Sequence, residues 1–257
     1  MRSIWTGAIG FGLVNIPVKV YSATQGSDLD LDMLDRRDMG KIRFKRVNEN
    51  TDREVKWEDI VKGYLYNDEY VVLDDKDFEA ASPEKSKVIE ITDFVDEKEI
   101  DSVYFENPYY LEPDKAGGRA YALLREALRE TGMVGVALFV MRSKETLAIL
   151  RAKEEVIVLN RIRFAEEIRD FKDLNLPGAK EVKGSELKMA ISLIKSLTDE
   201  FDITKYRDTY AEELMKVIKA KAGGKRVTKP KLKVSHSKAD DLMGQLKASL
   251  GQRKKSS

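Results

Sequence analysis

Alternating apolar and polar positions predict β-strands along most of the chain before residue 165. The glycine-rich and β-branched residues 4–22 favour two strands with a turn or bulge near residues 10–12. Further strands are predicted within residues 54–75 and 86–95, and an extended aromatic segment follows at residues 103–113. Short connections imply antiparallel pairing among three more predicted strands, at residues 134–141, 146–151 and 156–163.

A helical period interrupts these strands once. Residues 117–131 place Leu124 and Leu128 on one face, and Gly132 is expected to end this helix as a left-handed residue. No repeated strand–helix–strand pattern is present. Strands on both sides of a single helix therefore favour a mixed α+β fold, a closed or partly closed β-barrel with a long insertion.

The pattern becomes helical beyond residue 180. Leu187, Ile191 and Ile194 recur at helical spacing, and a second amphipathic helix is predicted at about residues 204–222. The two helices form an arm. These changes in pattern divide the chain into a barrel core with its insertion, a helical arm and a basic flexible tail, at residues 1–180, 181–224 and 225–257.

Charge is distributed unevenly, although the net charge is only +1. Residues 216–257 carry 13 basic and 2 acidic side chains, so the rest of the chain is acidic overall. A separated basic tail is attracted to polyanions. The alternative is a solvated tail that only aids solubility. A short candidate helix at residues 239–250 is either a docking element or a frayed helix without a partner.

A second basic cluster, residues 36–46, lies inside the acidic part and contains six basic residues and one acid. Lys41, Arg43 and Lys45 alternate with Ile42 and Phe44, which is the period of a strand. We expect one face to bury Ile42, Phe44 and Val47 while the other presents a row of cations to phosphates. A charged solvent face on an edge strand is the alternative.

Composition excludes several classes of chemistry. The chain has no Cys and one His, so disulfides, cysteine-ligated zinc and His-based catalytic triads are not expected. No apolar run is long enough to span a membrane, and residues 1–5 do not resemble a secretory signal. We therefore expect a soluble protein of the reducing cytoplasm, and no cofactor is expected.

Acidic clusters offer an alternative function. Asp28, Asp30 and Asp32, and likewise Asp74, Asp75 and Asp77, could hold Mg²⁺ in a metal-dependent DNA-processing enzyme. Such clusters more often form a solvated acidic surface. A third possible function is general coating of nucleic acid, driven by the tail.

The basic residues suit a sequence-independent duplex binder, which needs phosphate contacts and little base recognition. No recognition helix or base-stacking strand motif is present in the sequence. The residues expected to contact DNA lie in the basic cluster, on the single helix and in the tail: Arg36, Arg37, Lys41, Arg43, Lys45, Arg46, Arg125, Arg129, Lys225, Arg226, Lys229, Lys231 and Lys233.

Several motifs resemble those of the prokaryotic Ku proteins. They occur in order over residues 1–224, at residues 1–19, 41–47, 109–115, 163–170, 186–190 and 208–210. The resemblance implies a β-barrel core, an inserted bridge and a C-terminal helical arm. It also implies a non-enzymatic scaffold, a homodimeric ring around double-stranded DNA ends, and an ATP-dependent multifunctional DNA ligase as partner in non-homologous end joining.

Two expectations follow from the resemblance. A ring needs two chains, and we expect Leu187, Ile191 and Ile194 to contribute to the dimer interface. Some bacterial relatives carry a Cys-x-x-Cys element after the basic cluster, where this chain has residues 47–52 without sulfur. A zinc site at that place is therefore not expected.

Overall fold

The computed structural model describes residues 1–27, 29–81, 87–141, 144–178, 182–225 and 242–253. Two compact units are present. The first comprises Met1–Gly26 and Asp30–Arg169, and the second comprises Ser27–Leu29 and Asp170–Ser257. In the part of the chain that is described, no helix is both long and apolar enough to cross a membrane.

The first unit contains a closed seven-stranded β-barrel, which confirms the predicted fold class. Its strands follow one another around the barrel in the order β1-β2-β6-β9-β8-β7-β5. All neighbouring strands are antiparallel except β1 and β5. The barrel strands are β1 (Trp5–Phe11), β2 (Val14–Ser22), β5 (Val88–Asp96), β6 (Phe105–Pro113), β7 (Met133–Met141), β8 (Lys144–Lys153) and β9 (Val156–Ile162).

Alternate residues of the strands fill the barrel with apolar side chains. One helix of the first unit, α2 (Gly118–Thr131), adds Tyr121, Leu124 and Leu128 to this core. Gly132 ends α2 with a φ of 67°, in the left-handed region, and its N–H donates to the carbonyl of Leu128. The predicted helix, its buried face and its glycine stop are confirmed.

The barrel closes where β1 lies parallel to β5. Ala8 pairs with Val88, and its N–H donates to the carbonyl of Lys87 at 2.8 Å. Glycine is needed at position 7, because a Cβ there would meet the Lys87 carbonyl oxygen, whereas a Cβ at Gly10 would require only the exposed side chain of Glu90 to move. We call this contact the seam.

The long insertion separates β2 from β5. It contains a hairpin of β3 (Lys62–Tyr66) and β4 (Glu69–Leu73), followed by helix α1 (Asp75–Ala81). The described residues between 23 and 81 include none that is buried. The insertion thus has defined local structure but no core of its own.

The second unit is helical. It contains α3 (Gly184–Leu197), α4 (Thr209–Ala222) and α5 (Leu242–Arg253), and α5 packs against α3. Helix α4 begins five residues later than predicted, because the Asp208 carboxylate caps it by accepting a hydrogen bond from the N–H of Tyr210. Neither α3 nor α4 has a buried residue.

Candidate nucleic-acid interface

The basic cluster does not form the predicted strand. Only two isolated bridges occur near it in the described part of the chain, Leu34 with Lys41 and Val47 with Glu54. Phe44, expected to be buried, is 82% exposed, and Ile42 and Val47 are also exposed. The prediction of a strand with one buried face is wrong, because no second layer of the described structure covers this segment.

A tight turn at residues 35–40 forms the start of the cluster and is held by short-range hydrogen bonds. The Asp35 carboxylate accepts the N–H of Arg37 at 2.9 Å, and that of Asp38 accepts the N–H of Gly40 at 2.8 Å. The backbone of Asp35 also bonds to Gly40 and to Met39, whose φ is 60°. The carboxylates therefore fix the path of the chain into the basic residues.

A similar turn follows the cluster and begins at Asn48. The Asn48 side-chain oxygen accepts the N–H groups of Asn50 and Thr51, at 2.9 and 3.2 Å. The Asn48 carbonyl accepts the N–H of Asp52, whose φ is 53°. An amide side chain thus holds this turn by hydrogen bonds alone.

Beyond the turn at residues 35–40, three cations of the cluster have partners inside the insertion. Lys41 Nζ lies 2.7 Å from Asp32 Oδ2, and Lys45 Nζ lies 2.6 Å from Glu54 Oε2. The guanidinium of Arg46 lies over the ring of Trp57, 4.7 Å from its centre. Each contact directs one cation, and the lysine side chains stay largely exposed.

The three remaining arginines differ in how they are held. Arg37 makes a bidentate pair with Asp35, and hydrogen bonds from Arg37 lower the pKa of the Asp35 carboxyl. The same pair raises the pKa of Arg37. Arg36 and Arg43 are exposed and have no ion pair with any residue in the described part of the chain.

These cations can bind a polyanion at low cost. Exposed ion pairs contribute only about 0–1 kcal/mol, so Lys41 and Lys45 can exchange carboxylate oxygens for phosphate oxygens. Lysine and arginine contacts to phosphates position a protein on a duplex without reading its sequence. The cluster therefore suits binding of a nucleic-acid backbone.

Arg125 and Arg129 make hydrogen bonds to other residues of the barrel unit. Arg125 Nη1 donates to the carbonyl of Glu155 at 2.7 Å, while Nε and Nη2 donate to Glu126. Arg129 contacts Glu126 and the carbonyl of Glu154. These bonds attach α2 to the turn between β8 and β9, so the described contacts of both arginines are structural. DNA contact by them stays a prediction.

The tail residues that are predicted to contact DNA lie mostly outside the described residues. Lys225 is exposed just after α4, and its N–H donates to the carbonyl of Ala220 at 2.9 Å. Arg226, Lys229, Lys231 and Lys233 belong to the part of the chain that the structure does not describe. Their contact with DNA stays a prediction.

The predicted dimer residues form an exposed row on α3. Leu187, Ile191 and Ile194 are all exposed, with Ile194 at 65%. Near the end of α3, the rings of Phe201 and Tyr206 stack with their centres 6.2 Å apart. The described part of this unit therefore presents apolar side chains that its own residues leave uncovered.

The acidic clusters are used in local structure. Asp74 Oδ1 accepts the N–H groups of Lys76 and Asp77, and Asp77 accepts the N–H of Asp74, at the start of α1. Asp32 pairs with Lys41, and Asp28 lies outside the described residues. No group of three His, Asp or Glu residues among those described could hold a metal ion.

Sequence reasoning missed an ion-pair network at one end of the barrel. The Glu106 carboxylate lies 3.2 Å from Arg161 Nη2 and 2.8 Å from Arg163 Nη2. Arg161 lines a cavity of about 440 Å³ together with Tyr109 and Thr146. The available signal was Arg161 and Arg163 at alternate positions of one predicted strand, together with Glu106 in the predicted extended aromatic segment.

Comparisons with known proteins indicate the same family. The Ku70/Ku80 beta-barrel domain family matches residues 10–189. A Cupriavidus necator protein is 42% identical over 267 residues, with coverage of 99% of this chain and 79% of that protein. A Coxiella burnetii protein is 38% identical, with coverage of 99% and 96%, and a Bacillus subtilis protein is 40% identical, with coverage of 97% and 82%. All three are named non-homologous end joining protein Ku.

Proposed function

This chain belongs to the Ku family of non-homologous end joining proteins, and we propose that it binds ends of double-stranded DNA as a homodimeric ring. As a member of that family it is a non-catalytic factor, so its contribution to end joining is binding. We place it at the nucleoid in the cytoplasm, where its substrate would be.

The exposed basic cluster is the observation that supports binding without sequence preference. Its six cations lie on an insertion whose described residues include none that is buried, and short turns at both ends fix its path. Phosphate contacts from such a segment are equally available on any duplex sequence. No helix lies within the cluster to enter a major groove.

A single barrel cannot enclose DNA, which supports a ring of two copies. Apolar side chains such as Ile9, Val18 and Leu159 fill the interior, so a duplex has no room inside. A ring must therefore be built outside the barrel, from the insertion and a second chain. The uncovered row Leu187, Ile191 and Ile194 on α3 is our candidate for a self-complementary interface.

Recruitment of a ligase completes the proposal. A non-catalytic protein cannot form the phosphodiester bond that joins two ends. We therefore propose an ATP-dependent multifunctional DNA ligase as the partner, recruited to ends that the ring already holds. The tail, residues 225–257, is the candidate contact for the ligase and for additional DNA.

Competition between linear and closed circular duplexes of equal length tests the proposal. Both offer the same number of phosphates, and only the linear form can thread a closed ring. We expect the linear form to compete much more strongly. Equal competition would contradict end binding and favour general coating of nucleic acid.

A nuclease assay separates binding from metal-dependent processing. Labelled linear DNA incubated with the protein and Mg²⁺ should remain intact. Cleavage that disappears on chelation would overturn the non-catalytic assignment. It would favour a metal-dependent enzyme that uses the acidic clusters.

A further inference from the structure

Strand β4 leaves one edge open in an exposed apolar part of the insertion. The two-stranded sheet of β3 and β4 has no third strand in the described part of the chain. On β4, Tyr70, Val71 and Val72 are 75%, 48% and 56% exposed. A two-stranded hairpin is marginally stable alone, and an apolar open edge is a template for another strand.

The turn determines which backbone groups face the open edge. Asn67 and Asp68 form a two-residue turn with φ values of 50° and 65°, as in a type I′ hairpin. In such a hairpin the flanking pair, Tyr66 and Glu69, exchanges both hydrogen bonds. Hydrogen-bonded pairs then alternate along the ladder, so the N–H and C=O groups of Tyr70 and Val72 point outward.

We propose that β4 pairs antiparallel with β4 of a second copy, across a twofold axis at Val71. This inference rests on the homodimer in the proposed function and adds an interface separate from the arm. Tyr70 then faces Val72 of the second copy, and the outward groups of both residues form hydrogen bonds. The two Val71 residues face each other as a non-hydrogen-bonded pair.

The sequence of β4 is self-complementary in this register. Glu69 faces Leu73 of the second copy, so the two Glu69 carboxylates are not opposed. Lys62 pairs with Leu73 in its own hairpin, so it shares a row with Glu69 of the second copy. One cation and one anion therefore flank each Leu73 on the same face of the four-stranded sheet.

The composition of β4 favours a protein strand as its partner. The strand contains no Lys, Arg, Gly or Pro and is rich in β-branched and aromatic residues. The edge of β3 is less suitable, because it contains Gly63 and begins at Lys62, a residue type that discourages edge pairing. DNA is a less suitable partner, because β4 has no cation to contact a phosphate.

Engineered disulfides test the register directly, since the natural chain has no Cys. Val71→Cys places the two thiols at Cα atoms about 4.5 Å apart across the axis, which a disulfide can bridge. Tyr64→Cys is the matched control, because Tyr64 pairs with Val71 in the same row. The two Tyr64 residues are three strand spacings apart, roughly 14 Å, which is too far.

We expect covalent dimer to be the main species of Val71→Cys after mild oxidation, and only monomer for Tyr64→Cys, on non-reducing gels. Both positions are exposed, and thermal unfolding of each reduced variant checks that the barrel is intact. Linkage of Tyr64→Cys instead would overturn the inference in favour of the β3 edge. Failure of both while light scattering shows a dimer would also overturn it.

Hydrogen exchange at the open edge distinguishes a protein partner from DNA. In the free dimer of the unaltered protein, before any DNA is present, the outward N–H groups of Tyr70 and Val72 should be protected. Protection that arises only after duplex DNA is added would overturn the inference and assign this edge to DNA.

A monomer of the unaltered protein in light scattering would contradict the homodimer itself. The experiment therefore distinguishes failure of this interface from failure of the proposed function.

Discussion

The hydroxyl of Tyr121 accepts a hydrogen bond from the backbone N–H of Ile157 at 2.6 Å. The same hydroxyl donates to the carbonyl of Leu111 at 2.7 Å, and Leu111 is the strand partner of Ile157. A helix side chain thus joins β6 and β9 at the end of their ladder, inside the core. Burial raises the pKa of this tyrosine, as expected for a phenol held away from water.

We expect Tyr121→Phe to lower the free energy of unfolding by about 1–3 kcal/mol, because it leaves a buried N–H and a buried carbonyl without their partner. Chemical denaturation monitored by circular dichroism would measure the loss. DNA affinity should not change at a temperature where both proteins are folded.

Tyr21→Phe is the control, since Tyr21 donates to Glu112 on the exposed side of the barrel and should matter little. The effect of Tyr121→Phe should also shrink above pH 10, the ordinary tyrosine pKa. Above that pH the unfolded chain loses a proton that the folded protein retains, so ionisation favours unfolding of the unaltered protein. A constant difference across this range would contradict the buried, hydrogen-bonded hydroxyl.

The basic cluster should carry much of the DNA affinity. Changing Lys41, Arg43 and Lys45 together to Glu should weaken binding strongly while the protein stays dimeric. Removal of each phosphate contact should lower the slope of log K against log salt by roughly 0.9. A filter-binding titration at several salt concentrations measures both quantities.

Net charge alone must be separated from this local effect. Lys98, Lys115 and Lys153 are exposed residues of the barrel unit, and their joint change to Glu alters the charge equally. This control variant should keep most of the salt slope. Similar losses in both variants would show that the cluster makes no specific phosphate contacts.

Arg125 should matter for stability more than for DNA binding. Arg125→Gln removes the bonds to Glu126 and Glu155 that hold α2 on the β8–β9 turn, so the unfolding temperature should fall. Arg119→Gln on the same helix is the control, since Arg119 is exposed. Loss of DNA affinity at unchanged unfolding temperature would instead establish Arg125 as a DNA ligand.

The arm should be required for dimerisation. Joint substitution of Leu187, Ile191 and Ile194 by Ser should give monomers in light scattering, with weak end binding. Leu13→Ser removes an exposed apolar side chain at the β1–β2 turn and should leave the dimer unchanged. A fully dimeric triple variant would remove α3 from the interface.

The tail should add affinity without selecting ends. Deleting residues 225–257 should weaken total binding and reduce its salt dependence, since flexible cations reach phosphates on any DNA. Preference for linear over circular competitor should persist or sharpen. Loss of that preference on truncation, with the isolated tail retaining it, would place end recognition in the tail.

Local patterns predicted the part of the barrel whose strands follow one another directly along the chain. Strands β7 to β9 follow one another through short turns, so alternation and turn signals suffice to place them. Gly132 marks the end of α2 for an equally local reason, because its positive φ suits a residue without a side chain.

The basic cluster shows where such reasoning fails. Alternation at Lys41 to Lys45 indicates which side each residue would face, but a strand also needs a neighbour to bond with and a layer to cover Ile42 and Phe44. Likewise, the role of Arg125 depends on Glu155, which lies 30 residues away in the chain. Neither covering layers nor long-range partners can be read from a local period.

The seam has a consequence for the order of folding. Ala8 and Val88 lie 80 positions apart, so their pairing closes a loop that includes the whole insertion. Closing a loop of that length costs about 4 kcal/mol of chain entropy, whereas β7, β8 and β9 meet through short connections. The barrel should therefore assemble from its C-terminal strands and close last at the seam. In pulsed hydrogen exchange, amides of β8 should gain protection before the N–H of Ala8.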